Sequence, residues 1–173
     1  MKFISEIDLN KGIHNDIAEL RNAAFPEHSS PNSYLKQLPH IRCVHYEYSK
    51  LVGYMGLDYR VMSVGGHCFK ALGIIDFCVL EDRRGKGLGS GMLCELTDYA
   101  NSKDVDFIVL VSDKTDFYER NGFNRLTVPA SWLRLHQHKN YGVAFEYLND
   151  FFVKPTGDDQ WNEGHVDWLG YMY

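Results

Sequence analysis

The sequence predicts an α+β fold in which a central mixed β-sheet is flanked by helices. Three observations carry this. Residues 43–80 hold a run of alternating and apolar segments broken by short turn signals, the pattern of a strand meander. From Leu88 the apolar spacing becomes helical. Phe107–Val111 then reads as another buried strand, and a short helical segment follows it. Strands, helix, strand, helix is the order of an α+β sheet domain rather than of a bundle or a sandwich. The length of 173 residues, with 45% apolar and 24% charged side chains, suits one globular domain over residues 1–173.

The elements follow in order. Phe3 to Asp8 alternates loosely and is the expected first strand. Asn10 or Asn15 caps a helix whose face is Ile13, Ile17, Leu20 and Ala24, with Pro26 just beyond its end. Ser29 to Ser33 restarts a short helix with Pro31 in its first turn, Tyr34, Leu35 and Leu38 on its apolar face and Pro39 at its end. Cys43–Tyr48 and Leu51–Val61 are strands joined by a turn at Ser49-Lys50. Gly65-Gly66 suits a hairpin turn into a third strand, His67–Leu80. Leu88, Met92, Leu93, Leu96, Tyr99 and Ala100 share one helical face. After the strand Phe107–Val111, Ser112 or Asp113 caps a short helix, and Asn121-Gly122 suits its C-terminus. Val143–Leu148 is a strand, and Lys154–Trp161 is a turn-rich loop. The aromatic terminus Trp168-Leu169-Gly170-Tyr171-Met172-Tyr173 is expected to pack rather than fray.

The stretch from Ile74 to Met92 is the chemical centre of the sequence. It is a buried strand, then a charged glycine loop, then a helix. The first amides of a helix lack internal partners and the macrodipole makes that end electropositive, so this is an anion site. Glycines let a phosphate approach without a Cβ in the way. A Walker loop is excluded, because no GxxxxGK followed by Ser or Thr is present. The dinucleotide fingerprint is excluded too, since its third glycine position falls on Ser90 or Met92.

What remains is Arg84-x-x-Gly87-x-Gly89 after a strand ending in Val79, with Phe117-Tyr118-Glu119-Arg120-Asn121-Gly122-Phe123 one helix and one strand downstream. The pair resembles the acetyl-coenzyme A signature and the tyrosine segment of the GNAT N-acetyltransferase superfamily, over roughly residues 1–150. One departure is Glu81, where many members have Pro. The Asp167-Trp168 near an aromatic terminus more faintly resembles the aminoglycoside 2'-N-acetyltransferase branch.

The resemblance implies transfer of an acetyl group from acetyl-coenzyme A, as co-substrate, to an amine in a ternary complex. The acceptor would be a small polycation such as an aminoglycoside or polyamine, or a peptide amine. Backbone at Cys78, Val79 and Leu80 would bind the pantetheine arm, and Arg84, Gly85, Lys86, Gly87, Leu88, Gly89 and Ser90 would hold the pyrophosphate. Tyr118 would protonate the leaving thiolate, the alternative being a tyrosine of the core. Asp76, a carboxylate amid Ile75, Phe77 and Val79, is either the base for the amine or a structural group bonding backbone amides. A non-catalytic acyl-coenzyme A sensor is the other reading of the same motifs.

The net charge of −5 speaks against a general nucleic-acid binder. No apolar run reaches the roughly 18 residues of a membrane span, and residues 1–6 lack a signal-peptide core. Cys43, Cys68, Cys78 and Cys94 show no CxxC spacing; Cys78 and Cys94 are expected to be buried free thiols in a cytoplasmic protein. No His pair has metal-ligand context, so no metal is expected. A homodimer is left open. The C-terminal aromatics and acids either line an acceptor site or cover the sheet.

Overall fold

A computed structural model describes residues 1–173. The strands are β1 (Lys2–Ser5), β2 (Ile41–Glu47), β3 (Lys50–Val64), β4 (His67–Val79), β5 (Phe107–Val111), β6 (Asn124–His136), β7 (Lys139–Pro155) and β8 (Val166–Tyr171). The helices are α1 (Lys11–Ala24), α2 (Leu88–Asn101) and α3 (Thr115–Arg120). The strands form one mixed sheet in the order β1-β2-β3-β4-β5-β7-β6-β8, and β3 also pairs β8. The expected fold class is therefore present. By its contacts the chain divides into two units, residues 1–58 with 74–95 and residues 59–73 with 96–173. No helix is long and apolar enough to cross a membrane.

In the first unit β1 pairs antiparallel with β2, and β2 with β3, with a bulge between His45 and Tyr46. Asn10 caps α1, its side chain accepting from the Ile13 amide at 3.0 Å, and the helix turns Ile17 and Leu20 into a core with Val44, Leu51, Tyr54 and Cys78. The first turns of α2 press on β3 at Gly53, where a Cβ would stand 2.5 Å from Met92 Sδ. Residues 29–40 do not form the expected second helix. Polar side chains hold their backbone instead, which is how such groups compete with a helix. Asn22 donates to the Ser30 carbonyl at 2.8 Å and accepts from the Ser30 amide at 3.0 Å. The fully buried Arg42 donates to the Ser33 carbonyl at 2.7 Å and the Tyr54 hydroxyl at 2.6 Å, and it is ion-paired with Glu6.

Arg42 thus ties the end of β1, the irregular segment and β3 together. Removing one partner of a buried ion pair strands the other and costs about 3–5 kcal/mol. Arg42→Met is expected to destabilise the fold by that amount, read as a lower urea midpoint at unchanged slope. A midpoint shift near zero would show that Glu6 finds water in its place.

The second unit closes on itself. β3 (from Tyr59), β4 (to Gly73), β5, β7, β6 and β8 follow one another, and β8 returns to β3 at Ser63↔Asp167 and Val64↔Val166. Closure removes edges that an open sheet must protect. Met62, Val64, Ala71, Phe107, Val109, Trp132, Phe151, Val153 and Trp168 make up its core. The aromatic terminus packs as expected and is one stave of this closed sheet: Trp168 lies between Trp132 and Phe151, with ring centroids 6.3 and 5.4 Å away. A Cβ on Gly73 would overlap the Tyr173 hydroxyl, so only glycine admits the last residue there.

Several boundaries differ from expectation. β1 stops at Ser5, because Glu6–Asp8 turns into a 3-10 helix. β6 was not anticipated, although Leu126, Val128, Ala130 and Trp132 alternate with Arg125, Thr127, Pro129 and Ser131: a proline sits inside the run and the period slips at Leu133-Arg134-Leu135. β7 is far longer than Val143–Leu148, and its bulges break the period at both ends of that stretch. Lys114 occupies the α3 N-cap with no side-chain cap bond, while Ser112 Oγ accepts from the Lys114 amide instead. Cys94 is exposed, not buried, since it falls one position off the α2 apolar stripe of Met92, Leu93 and Leu96.

Candidate active site

The first unit carries the glycine loop. After β4 a 3-10 turn spans Glu81–Arg83, and Gly85 and Gly87 take left-handed φ values of 69° and 85° before α2 begins. Glycine adopts these without strain. A Cβ at Gly85, Gly87 or Gly91 would meet nothing within 4 Å, so the loop's outer side is open space. The Gly91 amide is the first of α2 to reach a carbonyl, Gly87 O at 2.9 Å. The amides from Gly85 to Ser90 carry no such bond, and they sit at the positive end of the macrodipole. Arg84 and Lys86 steady the loop: Arg84 Nε donates to the Val79 carbonyl at 2.9 Å and Lys86 Nζ to the Asp82 carbonyl at 2.8 Å. Both stay exposed, so their charges add to the field at the loop.

Upstream, β4 pairs in parallel with β5 only at Ala71–Gly73. Its later backbone is not spent on β5. The Leu80 amide, however, donates to Val52 O at 2.8 Å, and the Val79 carbonyl is held by Arg84. Burial, with the Asp76 charge adding to it, pushes the Cys78 thiol up to about 12. Cys78 is therefore a neutral thiol with no nucleophilic character at neutral pH.

Asp76 has a φ of 49°, a left-handed residue within a strand, which Asp tolerates better than most. Its Oδ2 accepts from Arg21 Nε at 2.6 Å. Arg21 is fully buried, while the Asp76 side chain keeps 19% exposure. Arg21 Nη1 also donates to the His28 carbonyl at 3.3 Å, and Nη2 is buried without a partner. Burial pulls the Lys36 ammonium below its ordinary range, and the charge of Asp76 offsets part of that effect. Arg21 and Lys36 are the charged neighbours of Asp76 that sequence reasoning passed over. Arg21 had a signal: it lies four residues after Ile17, on the apolar face of α1, where a charge needs a partner. Lys36 had none.

Tyr118 belongs to the second unit. It is buried on α3 against Phe123 and Phe152, with ring centroids 5.6 and 5.3 Å away. The Asn121-Gly122 pair ends α3 as expected: Gly122 has φ 82° and the Phe123 amide returns to the Tyr118 carbonyl at 3.1 Å. Burial pushes the Tyr118 hydroxyl up to about 12, opposed by its bond to Ser112.

In the tail, the Arg60 guanidinium stands 4.5 Å from the Tyr171 ring centroid and 5.3 Å from that of Tyr173. Trp161 packs on Phe69, Phe107 and Phe151. These rings already hold the sheet together. No cluster of three or more His, Cys, Asp or Glu is placed to hold a metal ion.

The chain resembles many solved structures. A GNAT family N-acetyltransferase of Escherichia coli in complex with CoA superposes with a TM-score of 0.63 at 19% identity, over 96% of this chain and 88% of that one. An aminoglycoside 6'-N-acetyltransferase complexed with coenzyme A gives 0.62 at 14% identity, over 92% and 99%. A GNAT family acetyltransferase from Brucella melitensis in complex with acetyl-CoA gives 0.59 at 18% identity, over 95% and 93%. A probable N-acyltransferase from Enterococcus faecalis matches 73% of this chain but 32% of its own, at 14% identity and a TM-score of 0.59, so the chain spans about a third of that protein's length. At these identities the likeness is one of fold. No curated protein matches the chain by sequence. The profile of the acetyltransferase (GNAT) domain matches residues 7–126, well over half of the sequence, and the chain belongs to that family.

Proposed function

We propose that residues 1–173 form one acetyltransferase domain that moves an acetyl group from acetyl-coenzyme A to an amine by direct attack. The observation that carries this is the loop from Arg84 to Ser90, where two left-handed glycines open onto unobstructed space in front of unbonded amides at the start of α2. The pyrophosphate takes those amides, with Arg84 and Lys86 adding charge. The β4 backbone around Cys78 and Val79 takes the pantetheine amides. The Leu80 amide is committed to Val52, so its part is positional.

The amine nitrogen attacks the thioester carbon. The C–N bond forms, the C–S bond breaks, one amine proton must leave, and the sulfur must take one. Tyr118 is the donor to the sulfur. Asp76 is the acceptor for the amine proton, with Arg21 fixing Oδ2. An alkylamine of pKa about 10.4 is almost wholly charged at neutral pH, so a carboxylate that takes its proton raises the reactive fraction. Asp76→Asn keeps an acceptor oxygen for Arg21 and removes the base. It is expected to lower kcat/KM about 10²-fold at neutral pH, the low end for such a group, with recovery as rising pH deprotonates the amine. A pH-independent loss, or a collapse of the melting temperature, would place Asp76 among the structural residues.

The acceptor is a cationic amine, a small polycation such as an aminoglycoside or polyamine, or a peptide amine. The net charge of −5 supports a cationic partner, and an aminoglycoside acetyltransferase shares the fold. Thiol release from acetyl-coenzyme A, measured across a panel of such amines, tests the proposal. Amine-dependent release with any of them supports it. Coenzyme binding without release across the panel would favour the acyl-coenzyme A sensor.

A further inference from the structure

The chain carries an amine of its own beside Asp76. Lys36 sits on the irregular segment 29–40, and that segment is looped back onto Tyr54. Arg42 Nη1 donates to the Ser33 carbonyl at 2.7 Å and to the Tyr54 hydroxyl at 2.6 Å. Further along, a Cβ on Gly56 would stand 3.0 Å from both Pro39 Cγ and the Tyr54 hydroxyl. Ser33 and Pro39 therefore both lie near that hydroxyl, and Lys36 is the midpoint, three residues from either anchor. Three residues span at most about 10 Å. Both anchors are buried, and Lys36 is half-buried while Gln37 and Leu38 beside it are exposed. The Tyr54 hydroxyl is close enough to Asp76 and Cys78 for their charges to act on it, and the Asp76 charge acts on Lys36 as well. Arg21 holds Asp76 Oδ2 at 2.6 Å, so two cations share this carboxylate. All of these groups belong to the first unit, as do Cys78 and Val79, whose backbone is assigned to the pantetheine arm.

We propose that Lys36 is a self-acetylation site: its amine takes the acetyl group from acetyl-coenzyme A bound to the same molecule. This rests on the acetyl transfer proposed above and adds a substrate in cis. Asp76 takes one proton from the Lys36 ammonium and releases it to water. The neutral Nζ attacks the thioester carbon. The C–N bond forms, the C–S bond breaks, and a second proton from the nitrogen leaves with the sulfur as a thiol. A loop anchored at both ends holds this amine near the base with no separate binding step, which is the gain of an intramolecular reaction. Burial pulls its ammonium below the ordinary range, so more of it is neutral than on a surface lysine. The product amide is uncharged, so the modification removes one of the two cations that share Asp76. A cationic acceptor then meets Asp76 without the Lys36 charge against it.

The test incubates the wild-type chain with acetyl-coenzyme A and no added amine, and follows the acetyl group by peptide mass mapping. Lys36 is expected to be acetylated first, with a rate constant that does not change when the protein is diluted. Lys11 and Lys50 are the internal references. Both are exposed, so unassisted chemistry in solution labels them ahead of the half-buried Lys36. Asp76→Asn is expected to slow Lys36 about 10²-fold and to leave Lys11 and Lys50 unchanged. Labelling in order of exposure, a rate constant that falls on dilution, or equal Lys36 rates in wild type and Asp76→Asn overturns the proposal. The amine panel, run in parallel, separates the two claims. Amine-dependent thiol release with Lys36 unmodified overturns self-acetylation alone. Coenzyme binding with neither release nor label overturns both.

Discussion

Gly87→Asp is expected to abolish the stabilisation that acetyl-coenzyme A gives the wild-type protein. A ligand that binds only the folded state adds about 2.7 kcal/mol at a hundredfold excess over its dissociation constant. Three features make Gly87 the sharpest probe. Its φ of 85° is a region L side chains enter reluctantly, so any substitution tilts the amides that follow. A Cβ there meets nothing within 4 Å, so the protein itself has room for the new side chain. An aspartate in that space sits where a phosphate would, with like charge. The apo protein should therefore lose only about 1–2 kcal/mol, the cost of a non-glycine residue in the left-handed region, while the ligand-induced rise in melting temperature disappears. A variant that unfolds outright would be uninformative about the ligand, so Gly91→Ala serves as the control. Gly91 lies inside α2 with open space around it, and alanine should keep the shift. An undiminished shift in Gly87→Asp would remove the loop from coenzyme binding.

What the sequence disclosed tracks the range of the forces involved. The glycine loop was legible because its signal is local: left-handed φ values need glycine, and a helix start needs amides without partners. β5 was legible to the residue because Phe107–Leu110 is buried on both faces and Phe107–Val111 reads as an unbroken apolar run. β6 was not: it carries an alternating run at 125–132, but Pro129 stands inside it and the period slips at Leu133–Leu135, where its pairing with β7 shifts register. The missing helix at residues 31–38 failed for a non-local reason. Its apolar spacing is helical, but Ser30 is captured by Asn22 and Ser33 by Arg42. The partner of Asp76 was hidden in the same way. The need for a partner showed in the strand around Asp76, and a misplaced charge showed on α1. Only folding brings Arg21 and Asp76, 55 positions apart, into one ion pair.

That pair also shows how the first unit builds a polar site inside a small core. Arg21 and Arg42 are both fully buried, and each gathers an acid and a carbonyl: Arg21 takes Asp76 and the His28 carbonyl just ahead of the irregular segment, and Arg42 takes Glu6 and the Ser33 carbonyl within it. Residues 29–40 have little regular backbone bonding of their own. Asn22 and Arg42 supply side-chain bonds to that backbone, at Ser30 and Ser33. The segment that carries Lys36 is held close enough to Asp76 for their charges to interact.

Tyr118→Phe is expected to keep coenzyme affinity and lower turnover about 10²–10⁴-fold, the usual cost of losing a general acid. The ring packing against Phe123 and Phe152 is retained by phenylalanine, so stability should change little. The pH dependence follows from burial. The hydroxyl is held at about 12 in the fold, against about 10 in an unfolded chain. A raised pKa means that the folded state binds this proton more tightly. Its stabilising contribution is complete below about pH 10 and is lost as the pH climbs toward 12. Across neutral and mildly alkaline pH, Tyr118 is therefore always a donor, and no alkaline fall in rate below about pH 10 should trace to it. A thiol has a pKa of about 8.5, so a free thiolate is a weaker base than this tyrosinate and would not strip the proton in water. In a dry site the hydroxyl acts by donating to the sulfur as charge develops, and the proton follows only as far as the sulfur's desolvation demands. The decisive comparison sets the wild-type protein against the Tyr118→Phe variant with leaving thiols of graded acidity. The deficit of the variant should shrink as the thiol becomes more acidic and needs less help. A deficit that stays constant across the series, or equal turnover of the two proteins, would return Tyr118 to a packing role.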